Sequence, residues 1–156
     1  MIVRGSGAAS QSFDPTDSKT MTTIWRQGVI LVHAVPLLTV RRGADTVGQD
    51  VLVQPDVFVV PLDEARTGDW SKLRSLLVAA EVLSPSTARA DRFTKRRRYQ
   101  EAGVPLYWIV DGEEQRVEVW TPGAELPTIE AERLVWRPAG AGQPFTLELA
   151  ELFRPV

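Results

Sequence analysis

Leu76-Leu-Val-Ala-Ala-Glu81-Val-Leu-Ser-Pro-Ser-Thr87 sets a single carboxylate inside an apolar run that stops at a Ser-Pro-Ser-Thr turn. A uniformly apolar segment of this length is what a central strand covered on both faces requires. Glu81 is the anomaly, because a carboxylate in a buried strand costs roughly several kcal/mol unless something cationic meets it. About twenty residues upstream, Pro55-Asp56 opens Val57-Phe-Val-Val60, a second acid at the head of a second apolar strand. Two acids on neighbouring strands point to a divalent metal site.

Downstream, Thr87 to Ala102 is rich in helix formers and is followed by Gly103 and Pro105, which predicts a helix with a marked stop. Leu106-Tyr-Trp-Ile-Val110 reads as a strand closed by Asp111-Gly112, and Arg116-Val-Glu-Val-Trp120 alternates polar and apolar, so the two predict a β-hairpin. Ala131 to Trp136 is another alternating strand, and Phe145 to Leu149 starts a strand or a short helix. Upstream, Val29 to Val40 is β-branched and interrupted by Pro36, which favours two short strands. Arg41 to Asp45 reads as a turn, Val51 to Val60 as a strand ended by Pro61, and 62–74 as a loop with a helical turn. Residues 1–27 are rich in Ser, Thr, Gly and Asp and read as a disordered leader, leaving 28–156 as a single domain.

The 156 residues, 44% of them hydrophobic, suffice for one sizeable core. A formal net charge of -2 gives no bulk attraction for a polyanion, so nucleic-acid contact would need a local patch. Such a patch exists: Arg89, Arg92, Lys95, Arg96, Arg97 and Arg98 fall within ten residues of the predicted helix, with Asp91 the one acid among them. It fits a strip contacting phosphates, or a solvated face. Lys95 lies four residues before Tyr99 and seven before Ala102, on the stripe expected to face the sheet, whereas Arg96 and Arg97 point elsewhere.

The absence of cysteine excludes disulfides, thiolate catalysis and cysteine-ligated zinc, and one histidine excludes a multi-histidine centre. No apolar run approaches the roughly 20 residues that span a bilayer, and the start lacks a signal-peptide layout. The expected setting is therefore cytoplasmic, with no membrane partner and no organic cofactor. Ser84, Ser86 and Thr87 are read as turn and helix-cap residues, since no histidine base is near them in sequence. His33 is read as core. The five tryptophans are assigned to core and interface, Trp120 being the interface candidate.

Asp56, Glu81 and Lys95 together suit phosphodiester hydrolysis. Carboxylates hold hard Mg²⁺, the metal acidifies water and offsets developing charge, and an ammonium orients the water or steadies that charge. Each residue also has a plain reading: Asp56 as the end of a turn, Glu81 as a buried partner of an arginine, Lys95 as a snorkelling side chain.

Pro55-Asp56, Glu81 to Thr87, Asp91 with Lys95, Gly103-Val-Pro-Leu-Tyr-Trp-Ile-Val-Asp111 and Val117-Glu-Val-Trp120 resemble the Uma-type family of putative restriction endonucleases, of the PD-(D/E)xK nuclease superfamily, over about residues 50 to 153. The resemblance implies an α/β (α+β) restriction-endonuclease-like core, a mixed central β-sheet flanked by helices. It implies a Mg²⁺-dependent DNA endonuclease, with Mn²⁺ an alternative metal, acting as a homodimer. It carries the metal ligands onto Asp56, Glu81 and the backbone carbonyl of Val82, and the catalytic lysine onto Lys95. The superfamily's usual lysine position falls on Leu83, and the family's lysine has moved to the following helix. The arginines 89, 92, 96, 97 and 98 become the nucleic-acid contacts. Family members carry a further acidic helix ahead of the first motif strand, where this chain has Gly28 to Val53. The second expectation is accordingly a catalytically weak or inactive nuclease-fold module that binds nucleic acid or a protein partner.

Overall fold

The computed structural model describes residues 24–26, 29–33, 38–40, 51–65, 73–139 and 142–155. Among these, seven strands form one mixed sheet in the order β1 (Ile24–Arg26), β2 (Val29–His33), β5 (Val57–Pro61), β6 (Val78–Val82), β7 (Tyr107–Asp111), β8 (Arg116–Trp120) and β9 (Thr128–Glu130). Two short pairs stand apart: β3 (Leu38–Val40) with β4 (Val51–Val53), and β10 (Arg133–Trp136) with β11 (Phe145–Glu148). β6 lies at the centre, antiparallel to β5 and parallel to β7. A parallel pair needs a crossover, and it is supplied by α2, a π-helical turn over Ala90–Lys95 continuing as α-helix over Arg96–Glu101. The remaining helices among the described residues, α1 (Leu62–Ala65) and α3 (Leu149–Leu152), are single turns.

The alternation of β5 to β8 divides the core in two. Phe58, Val60, Ala79, Tyr107, Ile109 and Trp120 point to one face, where Tyr99, Ala102 and Val104 of α2 and its exit cover them. Val59, Val78, Ala80, Trp108 and Val117 point to the other, against the β10–β11 pair and α3. Both faces of β6 are thus buried, as its uniform apolarity requires. The sequence-level fold class holds, with one refinement: one face carries α2, whereas the other is covered mainly by a hairpin. No helix among the described residues is long and apolar enough to cross a membrane.

The helix stop is a Schellman arrangement. Gly103, at φ +71°, donates to the Gln100 carbonyl, Val104 donates to the Tyr99 carbonyl, and Val104 and Tyr99 share one core cluster. The β7–β8 hairpin, the two short strands around Pro36 and the strand-then-helix ending at residues 145–152 also match the sequence reading. Val51 to Val60 does not form one strand; Gln54-Pro55-Asp56 breaks it into β4 and β5. Ile24–Arg26, placed in the leader by composition, pairs with β2 as an edge strand. The rest of residues 1–27, the Arg41 to Asp45 turn and the His33 side chain lie outside the described residues.

Candidate active site

β5 and β6 pair with Val57 opposite Ala80 and Phe58 opposite Ala79. One further antiparallel step sets Asp56 across from Glu81. The ladder ends here because Pro55 has no N–H to continue it, and Asp56 takes over by side chain: its Oδ2 accepts the Val82 N–H at 2.8 Å. The break in the Val51 to Val60 segment therefore turns an acid onto the end of β6.

Glu81 follows Ala79 onto the face covered by α2 and is 1% exposed. Its Oε2 lies 2.9 Å from Lys95 Nζ, and its Oε1 accepts the Tyr99 hydroxyl at 3.0 Å. Burial raises the Glu81 pKa to about 7, with the Asp56 charge adding to the rise and Lys95 and Tyr99 opposing it. Burial disfavours the charge on Lys95, but Asp91 and Glu81 outweigh it and raise the Lys95 pKa. Lys95 Nζ also lies 2.8 Å from Oδ1 of Asp91, which is itself 1% exposed. The Tyr99 and Tyr107 rings stack with centroids 4.7 Å apart, and the Tyr107 hydroxyl donates to the Asp91 carbonyl at 3.0 Å.

Asp56, Glu81 and Lys95, from a loop, a strand and a helix, are thus brought to one end of β6. The donors there are all hard oxygens, the type Mg²⁺ selects. A carboxylate has about four lone-pair sites, so Glu81 can keep Tyr99 and Lys95 and still ligate, and Asp56 has Oδ1 beyond its bond to Val82. The set fits a magnesium-type cation on donor chemistry. Among the described residues no group of three or more carboxylates or histidines is placed to hold a metal.

Residues 31–150 match a family model described as Uma2, putative restriction endonuclease. The chain belongs to the Uma2 family. A solved structure described as a putative nuclease belonging to DUF820, from Anabaena variabilis, is similar with a TM-score of 0.59 and 21% identity, covering 81% of this chain and 69% of that one. At that identity the likeness concerns the fold. No curated protein matches the chain.

In this Uma2 chain the arginine strip divides. Arg92 turns inward and bridges Asp111 Oδ2 at 2.9 Å and Glu118 Oε1 at 2.7 Å. Arg96 lies 4.4 Å over the Trp120 ring and bonds to the Arg92 carbonyl and Gln100. Trp120 is core, not interface: it is buried and its Nε1 donates to Glu118 Oε2 at 3.2 Å. Arg97 pairs with Glu101 at the surface. Arg89 and Arg98 are exposed, and no described carboxylate pairs with either. Ser84, Ser86 and Thr87 do form the turn, with hydroxyl contacts of 3.0–3.1 Å. The Thr87 and Ala88 N–H groups are met by the Ser84 backbone carbonyl instead of by a side-chain cap.

Sequence reasoning missed the Tyr99 and Tyr107 hydroxyls, the contact of Asp91 with Lys95, and the Asp111–Arg92–Glu118 bridge. The helix stripe that selected Lys95 also passes through Asp91 and Tyr99, four residues to either side. That spacing was the signal that could have found Asp91 and Tyr99; Tyr107 and the Arg92 bridge depend on the β7–β8 register.

Proposed function

We propose that the chain is a Mg²⁺-dependent endonuclease that hydrolyses DNA phosphodiesters, with Mn²⁺ able to replace Mg²⁺. The observation that carries this is the meeting of buried Glu81 with Lys95 from the crossover helix, one register step from Asp56. Asp56, Glu81 and the Val82 carbonyl would hold the metal. When bound, the metal offsets charge developing on the phosphoryl group and acidifies water. Glu81 leaves Lys95 cationic, and an ammonium has three donors. Nζ lies at ion-pair distance from Glu81 and Asp91 and retains donor capacity for a phosphate oxygen or the attacking water. Arg89 and Arg98 hold the phosphate backbone, and Arg97 joins them by giving up a weak surface pair. Arg92 and Arg96 act by holding α2 on the sheet. Family membership supports DNA as substrate, and two strands to cut favour a homodimer.

Plasmid and single-stranded DNA incubated with the protein and Mg²⁺ or Mn²⁺ are expected to be cleaved, and Asp56→Ala or Glu81→Ala to abolish cleavage. The shortage of carboxylates near Glu81 among the described residues favours a second reading, a catalytically weak module that binds nucleic acid. Metal-independent, salt-sensitive DNA binding without cleavage by the wild-type protein would select it over the nuclease.

A further inference from the structure

Asp91 is a carboxylate with almost no contact with water, and it is poorly satisfied. It is 1% exposed, neither oxygen receives a hydrogen bond of good geometry from a described group, and Oδ2 has no described partner. The 2.8 Å approach of Lys95 Nζ to Oδ1 meets ion-pair distance without hydrogen-bond angles, so the hold is one of charge. A helix that buries an acid in this way forgoes its solvation, and a group left so calls for a reason.

The backbone around Asp91 is fixed on both sides. Its carbonyl accepts the Arg96 N–H, the bond of a π turn, together with the Tyr107 hydroxyl, and its N–H donates to the Thr87 carbonyl. Isolated π turns are uncommon and recur at functional sites. Across the ammonium stands Glu81, whose own Oε1 is pinned by Tyr99. The stacked tyrosines thus fix both acids, Glu81 at its side chain and Asp91 at its backbone, while Lys95 spans the space between them.

We propose that Asp91 is a positioning residue: its charge holds the Lys95 ammonium between two fixed carboxyl groups, at the place from which it meets the substrate phosphate or its attacking water. The inference rests on the nuclease reading for its consequence, but its physical core, the hold on Lys95, can be measured without DNA. Without Asp91 the ammonium would be tied to Glu81 alone, free to swing on its flexible stem and less well oriented for the reaction.

The chain's three lysines are Lys19, Lys72 and Lys95, so acylation by an amine-reactive ester, read by mass spectrometry, gives Lys95 reactivity with two internal references. In Asp91→Asn, which keeps the shape and removes the charge, Lys95 acylation is expected to rise about tenfold against Lys19 and Lys72. With DNA and Mg²⁺, kcat is expected to fall about 10- to 100-fold, the usual scale for a residue acting behind a ligand, with KM unchanged. An unchanged acylation ratio in a variant that melts within a few degrees of wild type overturns the proposal, as does raised acylation with undiminished kcat. Should Asp91→Asn fail to fold, Asp91→Glu, which displaces the carboxylate by one methylene, is expected to move both readouts in the same direction. If wild-type protein cleaves no DNA, the nuclease reading falls, and the acylation ratio still decides whether Asp91 holds Lys95.

Discussion

One helix sends two cations down to the same sheet face, three residues apart, and each lands between two carboxylates. Arg92 sits between Asp111 and Glu118, and Lys95 between Glu81 and Asp91. Around Arg92 both oxygens of each carboxylate are met: beside their bonds to Arg92, Asp111 Oδ1 takes the Glu114 N–H and Glu118 Oε2 takes Trp120 Nε1, and Arg96 stacks above the same tryptophan. Around Lys95 that is not so, since Asp91 Oδ2 has no described partner and Glu81 holds its proton up to about pH 7. Although burial opposes it, the Asp111 pKa is lowered by the Glu114 N–H and by Arg92, the opposite direction to Glu81. A fully satisfied clamp fixes geometry, whereas a partly satisfied one keeps groups ready to exchange protein partners for metal, water or phosphate. The first is read as the fastening of α2, the second as the working site.

The strongest way to break this contrast is to remove each cation in turn. Lys95→Met is expected to lower cleavage about 10²- to 10³-fold, the usual effect of losing one stabilising donor at a reacting centre, and also to cost stability, because it leaves the buried Glu81 and Asp91 without their cation. Arg92→Met strands two carboxylates and is expected to cost about 2–3 kcal/mol of stability, reduced from the value for a deeply buried pair because the guanidinium is about one-third exposed. Chemical denaturation alongside plasmid cleavage separates the two. Equal loss of cleavage by the two variants, each measured where it is still folded, would erase the distinction between clamp and site.

Titration supplies a second, smaller test, and the two sites should respond with opposite sign. Below its ordinary value of 4.5, Glu81 is protonated whether the chain is folded or unfolded. Between 4.5 and about 7 only the folded state keeps the proton, so stability falls as pH rises through that window. At about 1.4 kcal/mol per unit, the effect is on the order of 3 kcal/mol, and Glu81→Gln should remove it. Asp111, with its folded pKa lowered, contributes stability above its ordinary value of 3.8 that is lost as pH falls through the folded value, and Asp111→Asn should flatten that acid limb. Melting temperature against pH for wild type and both variants reads the two slopes.

The same contrast explains what the sequence made legible. Glu81 stood out because one charge in an apolar strand violates a local rule, and Lys95 because helical spacing placed it over that strand. Both arguments need only nearest periodicity. The Arg92 clamp needs Asp111 and Glu118, brought under α2 by the β7–β8 register, so a sequence reading saw Arg92 as one more cation of a surface strip. Trp120 was misassigned for the same reason: its alternating strand shows which residues share a face, but not that α2 lies over that face. Asp56 was found as an acid near a proline, yet its meeting with Val82 depends on an antiparallel ladder running one step past its last pair. The family resemblance reached the correct fold with its motifs, and strand order and helix placement follow from pairing that no single segment encodes.

The smallest test concerns the cations that neither cluster uses. Arg89 and Arg98 are exposed and without a described carboxylate, while Arg97 is engaged by Glu101 at 2.9 Å. Removing one cation that neutralises a phosphate lowers the slope of log affinity against log salt by about one. Arg98→Ala and Arg89→Ala are therefore each expected to weaken DNA binding several-fold at moderate salt, without sequence preference, and to flatten that slope. Arg97→Ala removes an i,i+4 pair worth about 0.3–0.5 kcal/mol. Because Glu101 already neutralises part of the Arg97 charge, a smaller change is expected there. Fluorescence anisotropy with a short labelled duplex across a salt series ranks the three. If Arg92→Met gave the steepest loss of slope in a folded protein, Arg92 would have to leave Asp111 and Glu118 for phosphate, and the satisfied clamp would belong to the nucleic-acid surface after all.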